Sequence, residues 1–185
     1  MPDNDIVALE EMLPDKLFIV PLSGKPIFPG IFTPLMITST VDIKAVEKAL
    51  ETNSTLGLIL MKDDNPDDDI SLKDLYSIGT AAKIVKKINL PDGGMNIFIS
   101  TLKRFRIKES ISDNPPMAAE VEYLEETDGK HRDIKALTQA ILAEMKQISE
   151  NNPLFTEEMR LNMVNIDLPG KIADFITSIL NIDRK

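Results

Sequence analysis

Cysteine is absent from these 185 residues, and so is tryptophan. Without a thiol there is no disulfide framework, no thiolate nucleophile and no sulfur-ligated metal, a composition that fits a reducing compartment. Histidine occurs once, at His131, so a Ser-His-Asp arrangement would have to use that residue. It sits in the charged run Asp128-Gly129-Lys130-His131-Arg132-Asp133 at an expected helix start, and nothing marks a nucleophile for it to activate. It reads as a solvated surface histidine. Long apolar runs are also lacking: the stretch from Leu56 to Met61 is far too short to span a bilayer, so no membrane partner is expected. Nor is there a cluster of Lys and Arg interleaved with aromatics. With 30 acidic against 21 basic side chains the net charge is -9, which opposes condensation on phosphate backbones and excludes nucleic acid as the expected partner.

Other chemistry fails on spacing. Gly170-Lys171 has the look of a P-loop ending, but Asn165 stands where the first Gly is required and Ile172 replaces Ser or Thr. Gly93-Gly94 is explained by a hairpin turn. Asp63, Asn65, Asp67, Asp69 and Asp74 partly mimic a calcium-binding loop. Asp68 stands where the sharp turn needs Gly, Pro66 falls inside the loop, and Asp74 is shorter than the usual bidentate Glu. An exposed acidic loop is the better reading, and neither metal nor cofactor is expected. The N-terminus, Met1-Pro2-Asp3-Asn4-Asp5, resembles neither a secretory signal nor an Arg-rich transit peptide, and a cytoplasmic protein of bacterial type is the simple expectation.

What is present is a core. Apolar residues make up 43% of the chain, enough for a domain of this size to bury roughly 70% of its unfolded surface. Residues 1–16 form an acidic lead-in. From 17 to 126 the pattern is that of short strands: Leu17–Val20, Leu35–Thr38, Leu56–Met61, Ile78–Ile88 with Ala82, Ile84 and Ile88 of one parity, Met95–Ser100, Phe105–Ile107 and Ala119–Tyr123. Pro91-Asp92-Gly93-Gly94 is a hairpin turn between two of them. One helix interrupts the series, capped by Ser39 or Thr40, with Asp42 in its first turn and Ile43, Val46 and Leu50 along one stripe.

Beyond about residue 127 the period changes. Ile134, Leu137, Ile141, Met145 and Ile148 recur at spacings of three and four, predicting a helix from about Lys130 to Glu150 that Asn151-Asn152-Pro153 stops. A short helix follows Thr156 and carries Met159 and Met163. Another begins near Pro169, with Ile172, Phe175, Ile176 and Ile179 on one face. The fold class is therefore α+β: a β-rich rolled sheet or small barrel with one helix, then a helical module. For Met145, Met159 and Met163 core packing competes with use as an adaptable binding surface.

The stretch PLSGKPIFPGIFTPL, residues 21–35, packs four prolines and two glycines among large apolar side chains. It suits an inflexible corner between two strands, in which Pro26 and Pro29 forbid regular pairing and Gly30 eases the turn. Ile31 and Phe32 follow that turn and are candidates for an exposed apolar contact, with burial in the core as the alternative.

Val20-Pro21-Leu22, Ile27-Phe28-Pro29-Gly30 and Thr33-Pro34-Leu35 together resemble the opening signature of the N-terminal domain of ATP-dependent Lon proteases. Asp74-Leu75-Tyr76-Ser77-Ile78-Gly79-Thr80-Ala81-Ala82, Leu90-Pro91-Asp92-Gly93-Gly94, Arg104-Phe105-Arg106-Ile107 and Leu168-Pro169-Gly170-Lys171-Ile172-Ala173-Asp174-Phe175 are similar to later segments of that family. Their order along the chain, more than any one motif, carries the resemblance, which runs from Leu17 to Ile182. Two departures stand out. Thr101 replaces a usual Gly before Leu102-Lys103-Arg104, so the strand there is expected to kink less. Ser23-Gly24-Lys25 replaces a more usual Arg-Asp pair.

The resemblance implies a PUA-like pseudo-barrel at 17–126 and a helical subdomain at 127–185 leading toward an ATPase module. It implies no catalytic residue in this chain, since the family's P-loop and Ser-Lys proteolytic modules would follow its end. The implied role is recognition of unfolded, damaged or tagged polypeptides, and support for assembly of the full-length homo-oligomeric enzyme with its other domains. Ile31, Phe32, Met159 and Met163 are the residues singled out for polypeptide contact. A stand-alone adaptor binding one folded partner is the alternative, with a fragment of the protease preferred.

Overall fold

A computed structural model describes residues 13–63, 70–91, 93–113, 116–125, 132–150 and 168–179. The chain divides into two compact units, Met1–Leu124 and Glu125–Lys185. The first contains strands β1 (Lys16–Leu22), β2 (Phe32–Ile37), β3 (Thr55–Leu60), β4 (Ile78–Asn89), β5 (Met95–Ser112) and β6 (Ala118–Tyr123), with helix α1 (Thr40–Thr52) between β2 and β3. The second contains helices α2 (Arg132–Glu150) and α3 (Pro169–Ile179).

The six strands form one sheet in the order β2-β5-β4-β3-β1-β6, and β6 also pairs with β5. That last pairing closes β5, β4, β3, β1 and β6 into a small barrel and leaves β2 hanging from the first half of β5. Only β1 and β3 run parallel. A parallel pair needs a long crossover, and α1 supplies it, lying against the face formed by the even-numbered residues of β1.

Two hydrophobic clusters follow from the alternation of side chains across the sheet. Val20 and Leu22 join Ala45, Val46 and Ala49 of α1, together with Leu56, Leu58, Ala82, Ile84, Met95, Ile97 and Ile99. Leu17, Ile19, Ile59, Ala81, Phe105, Ala119 and Val121 fill the barrel side. Met95, Ile97, Ile99 and Phe105 all have odd numbers, yet Phe105 belongs to the opposite cluster. The cause is a bulge: Thr80 pairs with Arg104 and Ala82 with Thr101, so β5 carries one extra residue at Leu102-Lys103 and its faces exchange there. The strand therefore carries a bulge directly after Thr101, although Thr stands there in place of Gly. A bend of this kind requires only an unpaired residue, which Leu102-Lys103 provides.

Phe105 is wholly buried, and two glycines make room for its ring. A Cβ on Gly57 would lie 2.8 Å from Phe105 Cζ, and one on Gly79 would lie 2.7 Å from the same atom and 2.6 Å from the backbone oxygen of Leu58. Tyr123 closes the barrel's edge, its hydroxyl donating to Pro14 O at 2.7 Å. Burial first, and the Asp15 carboxylate second, push the phenol pKa up.

A second bulge, at Val85, separates the pairs Ile84–Ile99 and Lys86–Phe98. It turns Ile88 to the face opposite Ala82 and Ile84, and so corrects the single-parity reading of β4. The separate strands read at Met95–Ser100 and Phe105–Ile107 are one continuous strand, β5, which the bulge bends without breaking.

In the helical unit, Met145 is buried against Phe175 and Ile176, and Ile172 is also buried. Ile134, Leu137, Ile141 and Ile148 lie on the same periodic pattern but are exposed.

Candidate functional site: an exposed sheet wing beside the proline-rich corner

The proline-rich segment contributes to strands at both ends. Pro21 lies inside β1 and Pro34 inside β2, so the corner proper is the shorter span of residues 23–31. Pro21 is accommodated because Ile19 N–H already points to the β6 side, donating to Met117 O at 2.9 Å. Pro21 shares that direction, and β6 pairs with β1 no further than Phe18, so no ladder donor is lost. Pro34 is tolerated for a parallel reason. Thr101 N–H donates to Ile31 O at 2.9 Å, which puts the odd-numbered residues of β2 in hydrogen-bonded pairs with β5. The amide positions of Phe32, Pro34 and Met36 then face the free edge of β2, where Pro34 has no N–H to offer.

Thr101 holds the corner. Its buried hydroxyl donates to Phe28 O at 2.7 Å and accepts from Ile31 N–H at 2.8 Å, while its carbonyl accepts from Gly30 N–H at 3.0 Å. Gly30 has φ +80°, in the left-handed region that reverses the chain, and it sits where Cβ would otherwise be strained. Behind the corner the Arg104 guanidinium lies 5.7 Å from the centre of the Phe28 ring, within cation–π range.

Past the corner, β2, the first half of β5 and the second half of β4 form a three-stranded wing. Its inner face, with Leu35, Ile37, Ile97, Ile99 and Ile84, packs into the α1 cluster. The outer face is not covered among the described residues. Residues paired across strands share a face, so Phe32, Pro34 and Met36 stand with Ser100, Phe98 and Asn96, and then with Lys83, Lys86 and Ile88. Phe32 is 63% exposed and Met36 65%; Val85, at the bulge, is 59% exposed and Ile88 40%. The Phe32 and Phe98 rings stack at 6.2 Å between centroids with planes 24° apart. Two aromatic rings and three aliphatic side chains thus line one surface on a rigid sheet. Such a surface can bind apolar segments by burial.

Of the residues singled out from sequence, Phe32 lies on this face, whereas Ile31 is half-buried in the corner. Met159, Met163 and His131 lie outside the described residues. Met36, Val85, Ile88 and Phe98 were not singled out. The phase of β2 could have found Met36, which is four residues from Phe32 on the same side. Finding Val85 and Ile88 required the bulge. Asp74, the last member of the acidic series, accepts from both Ser71 N–H at 2.9 Å and Ser71 Oγ at 2.8 Å. Those bonds lower its pKa, and they explain the carboxylate as a local cap on a 3₁₀ turn. Most of the remaining run, residues 64–69, lies outside the described residues. No group of three His, Asp or Glu side chains that could hold a metal ion occurs among the described residues. No helix among them is long and apolar enough to cross a membrane.

A β-barrel with a crossover helix, and a helical unit after it in the chain, is the architecture of Lon N-terminal domains. The model of the ATP-dependent protease La (LON) substrate-binding domain matches residues 16–185, and the chain belongs to that family. Among curated relatives, the Lon protease of Treponema pallidum is 55% identical over 181 residues, covering 97% of this chain and 20% of that protein. The Lon protease of Leptospira interrogans is 44% identical over 184 residues, covering 99% of this chain and 22% of its own length. This chain thus spans about a fifth of the length of the relatives it matches. Among solved structures, the N-terminal domain of Mycobacterium avium complex Lon protease superposes with a TM-score of 0.69 at 19% identity, covering 89% of this chain and 81% of that one. The Lon N-terminal domain protein from Xanthomonas campestris gives 0.54 at 21% identity, covering 88% and 97%. Both likenesses bear on the fold.

Proposed function

We propose that this chain is the recognition region of a cytoplasmic ATP-dependent Lon-type protease, and that it binds unfolded or damaged polypeptides through the outer face of the wing. Other regions of the full-length protein hydrolyse ATP and cut peptide bonds, and this region also supports assembly of the homo-oligomer. The observation that carries the reading is the exposed apolar face formed by Phe32, Met36, Phe98, Val85 and Ile88 on a rigid three-stranded scaffold. Contiguous exposed apolar surface rimmed by polar residues marks an interaction site. Contacts of this kind are sequence-tolerant, because burial rewards area and not a particular hydrogen-bond pattern.

An NMR titration of the isotopically labelled chain with an unfolded casein tests the proposal. Shift changes are expected at residues 32–37, 85–88 and 96–100. Replacing Phe32 and Met36 together by Ala removes two side chains worth about 1.5–3 kcal/mol each when fully buried, so affinity is expected to fall at least tenfold. Unfolding midpoints stay nearly unchanged, because both side chains are exposed in the free protein. Shift changes confined to another surface, or undiminished affinity in the double variant, would refute the wing as the contact.

A further inference from the structure

The wing is unusual in charge as well as in exposure. The chain carries 30 carboxylates in 185 residues, yet none falls in β2, in residues 83–89 of β4 or in residues 95–100 of β5. The charged side chains of those segments are Lys83, Lys86 and Lys87. Lys83 Nζ is held by Asn53 O at 2.5 Å, at the end of α1. Lys86 and Lys87 are both exposed, but Lys87 pairs with Ile97 and so lies on the opposite face of the sheet, which leaves Lys86 as the exposed lysine of the outer face. Lys86 lies in the same cross-strand row as Phe98 and Pro34, so its ammonium stands beside the apolar surface and on the same side of the sheet. Asp92, in the turn joining β4 to β5, lies outside the described residues. A positively charged rim on an otherwise acidic molecule is a specificity device: rim charges set which partner approaches more than they set how tightly it holds.

From this juxtaposition we infer that the wing selects extended polypeptide segments whose apolar and aromatic side chains are flanked by carboxylates, and discriminates against segments flanked by Lys or Arg. The inference rests on the wing being the polypeptide-contacting surface. The apolar residues of the segment cover Phe32, Phe98, Met36 and Ile88. Flanking Asp or Glu side chains meet Lys86, whereas flanking cations meet like charge there. Away from the wing, the net charge of -9 repels acidic segments, so the lysine rim also directs them to this one face.

Three labelled peptides sharing one aromatic and aliphatic core, flanked on both sides by Asp, by Ser or by Lys, separate the possibilities in a fluorescence anisotropy titration of the 185-residue chain. At low salt the Asp-flanked peptide is expected to bind about fivefold to tenfold more tightly than the Lys-flanked one, the Ser-flanked peptide falling between. The order is expected to flatten in high salt. In the variant Lys86→Glu it is expected to reverse, with an unfolding midpoint matching the parent's. If the three peptides bind equally, or keep their order in the Lys86→Glu variant, the charge selection is overturned while the apolar contact stands. If the Ser-flanked peptide is indifferent to the Phe32→Ala, Met36→Ala change, the apolar contact itself fails, and the selection argued on it fails too.

Discussion

Single side chains decide how the proline-rich corner is held. The buried Thr101 hydroxyl satisfies Phe28 O and Ile31 N–H, two backbone groups of half-buried residues. Thr101→Val keeps the shape and removes the hydroxyl, leaving the half-buried Phe28 carbonyl and Ile31 N–H without that partner. A loss of about 1–3 kcal/mol in unfolding free energy is expected by urea denaturation with an unchanged slope. Thr101→Ser, which keeps the oxygen, is expected to lose less. Asp42 offers a second test. Burial raises its pKa to about 6, and the hydrogen bond with Ser39 opposes that shift only in part. The folded state therefore binds a proton at higher pH than the unfolded chain, whose carboxyl titrates near 3.8. Between those values protonation favours the fold, so Asp42 costs stability at neutral pH and that cost is relieved as pH falls through 6. The unfolding free energy of the wild type, measured against Asp42→Asn across pH 7.5 to 5 (about the span of that window), is expected to rise relative to the variant. A flat difference would contradict the burial argument. Ser39 as the helix cap was legible because short polar residues before an apolar stripe have a specific job. Thr101 was noticed only as a departure, since nothing in its neighbours shows that its partners lie about seventy residues earlier.

At the scale of elements, alternation made most strands readable and bulges made their continuations unreadable. Leu17, Ile19 and the run Leu56–Ile59 announce β1 and β3 because buried parallel strands are apolar on both faces. Val85 and Leu102-Lys103 each insert one residue, and after one insertion the parity of every following residue is inverted. Ile88 was misread for that reason, and Phe105 was assigned to a separate strand. Prolines misled in the other direction: Pro21 and Pro34 suggested that the strands stop, whereas each sits with its missing donor toward a side that has no ladder partner. Pro34 has a further effect. A free edge with a full set of donors invites pairing with another chain, and Pro34 removes the middle donor from β2. Pro34→Val is expected to convert β2 into a competent edge and to raise self-association. Sedimentation velocity over a concentration series would detect this, and a strictly monomer-like profile equal to wild type's would disprove it.

For the molecule as a whole, the change from a period of two to one of three and four near residue 127 was the clearest signal, because strands and helices bury their side chains on different schedules. The number of short strands pointed to a rolled sheet or small barrel, but not to the strand pair that closes it. Closure depends on β5 being long enough to pair with β2, β4 and β6 in turn, and strand length was what the bulges concealed. The apolar wing was half legible: Phe32 is conspicuous after Pro29-Gly30, but Phe98 and Ile88 join it only through pairing across three strands. The stripe on α2 shows the limit of periodicity, since it identifies a helix without saying which of its residues a neighbour will cover.

The pairing of Lys16 with Glu120 also sets an order of events during synthesis. β1 leaves the ribosome well before β6, one of its two neighbours, which follows about a hundred residues later. At the usual elongation rates that interval is roughly 5–20 s. Through it, Leu17 and Ile19 have no barrel interior to enter, and the ring stays open until its last stave arrives. Until β6 arrives, the nascent chain therefore carries an exposed apolar segment of the kind that the wing is proposed to bind.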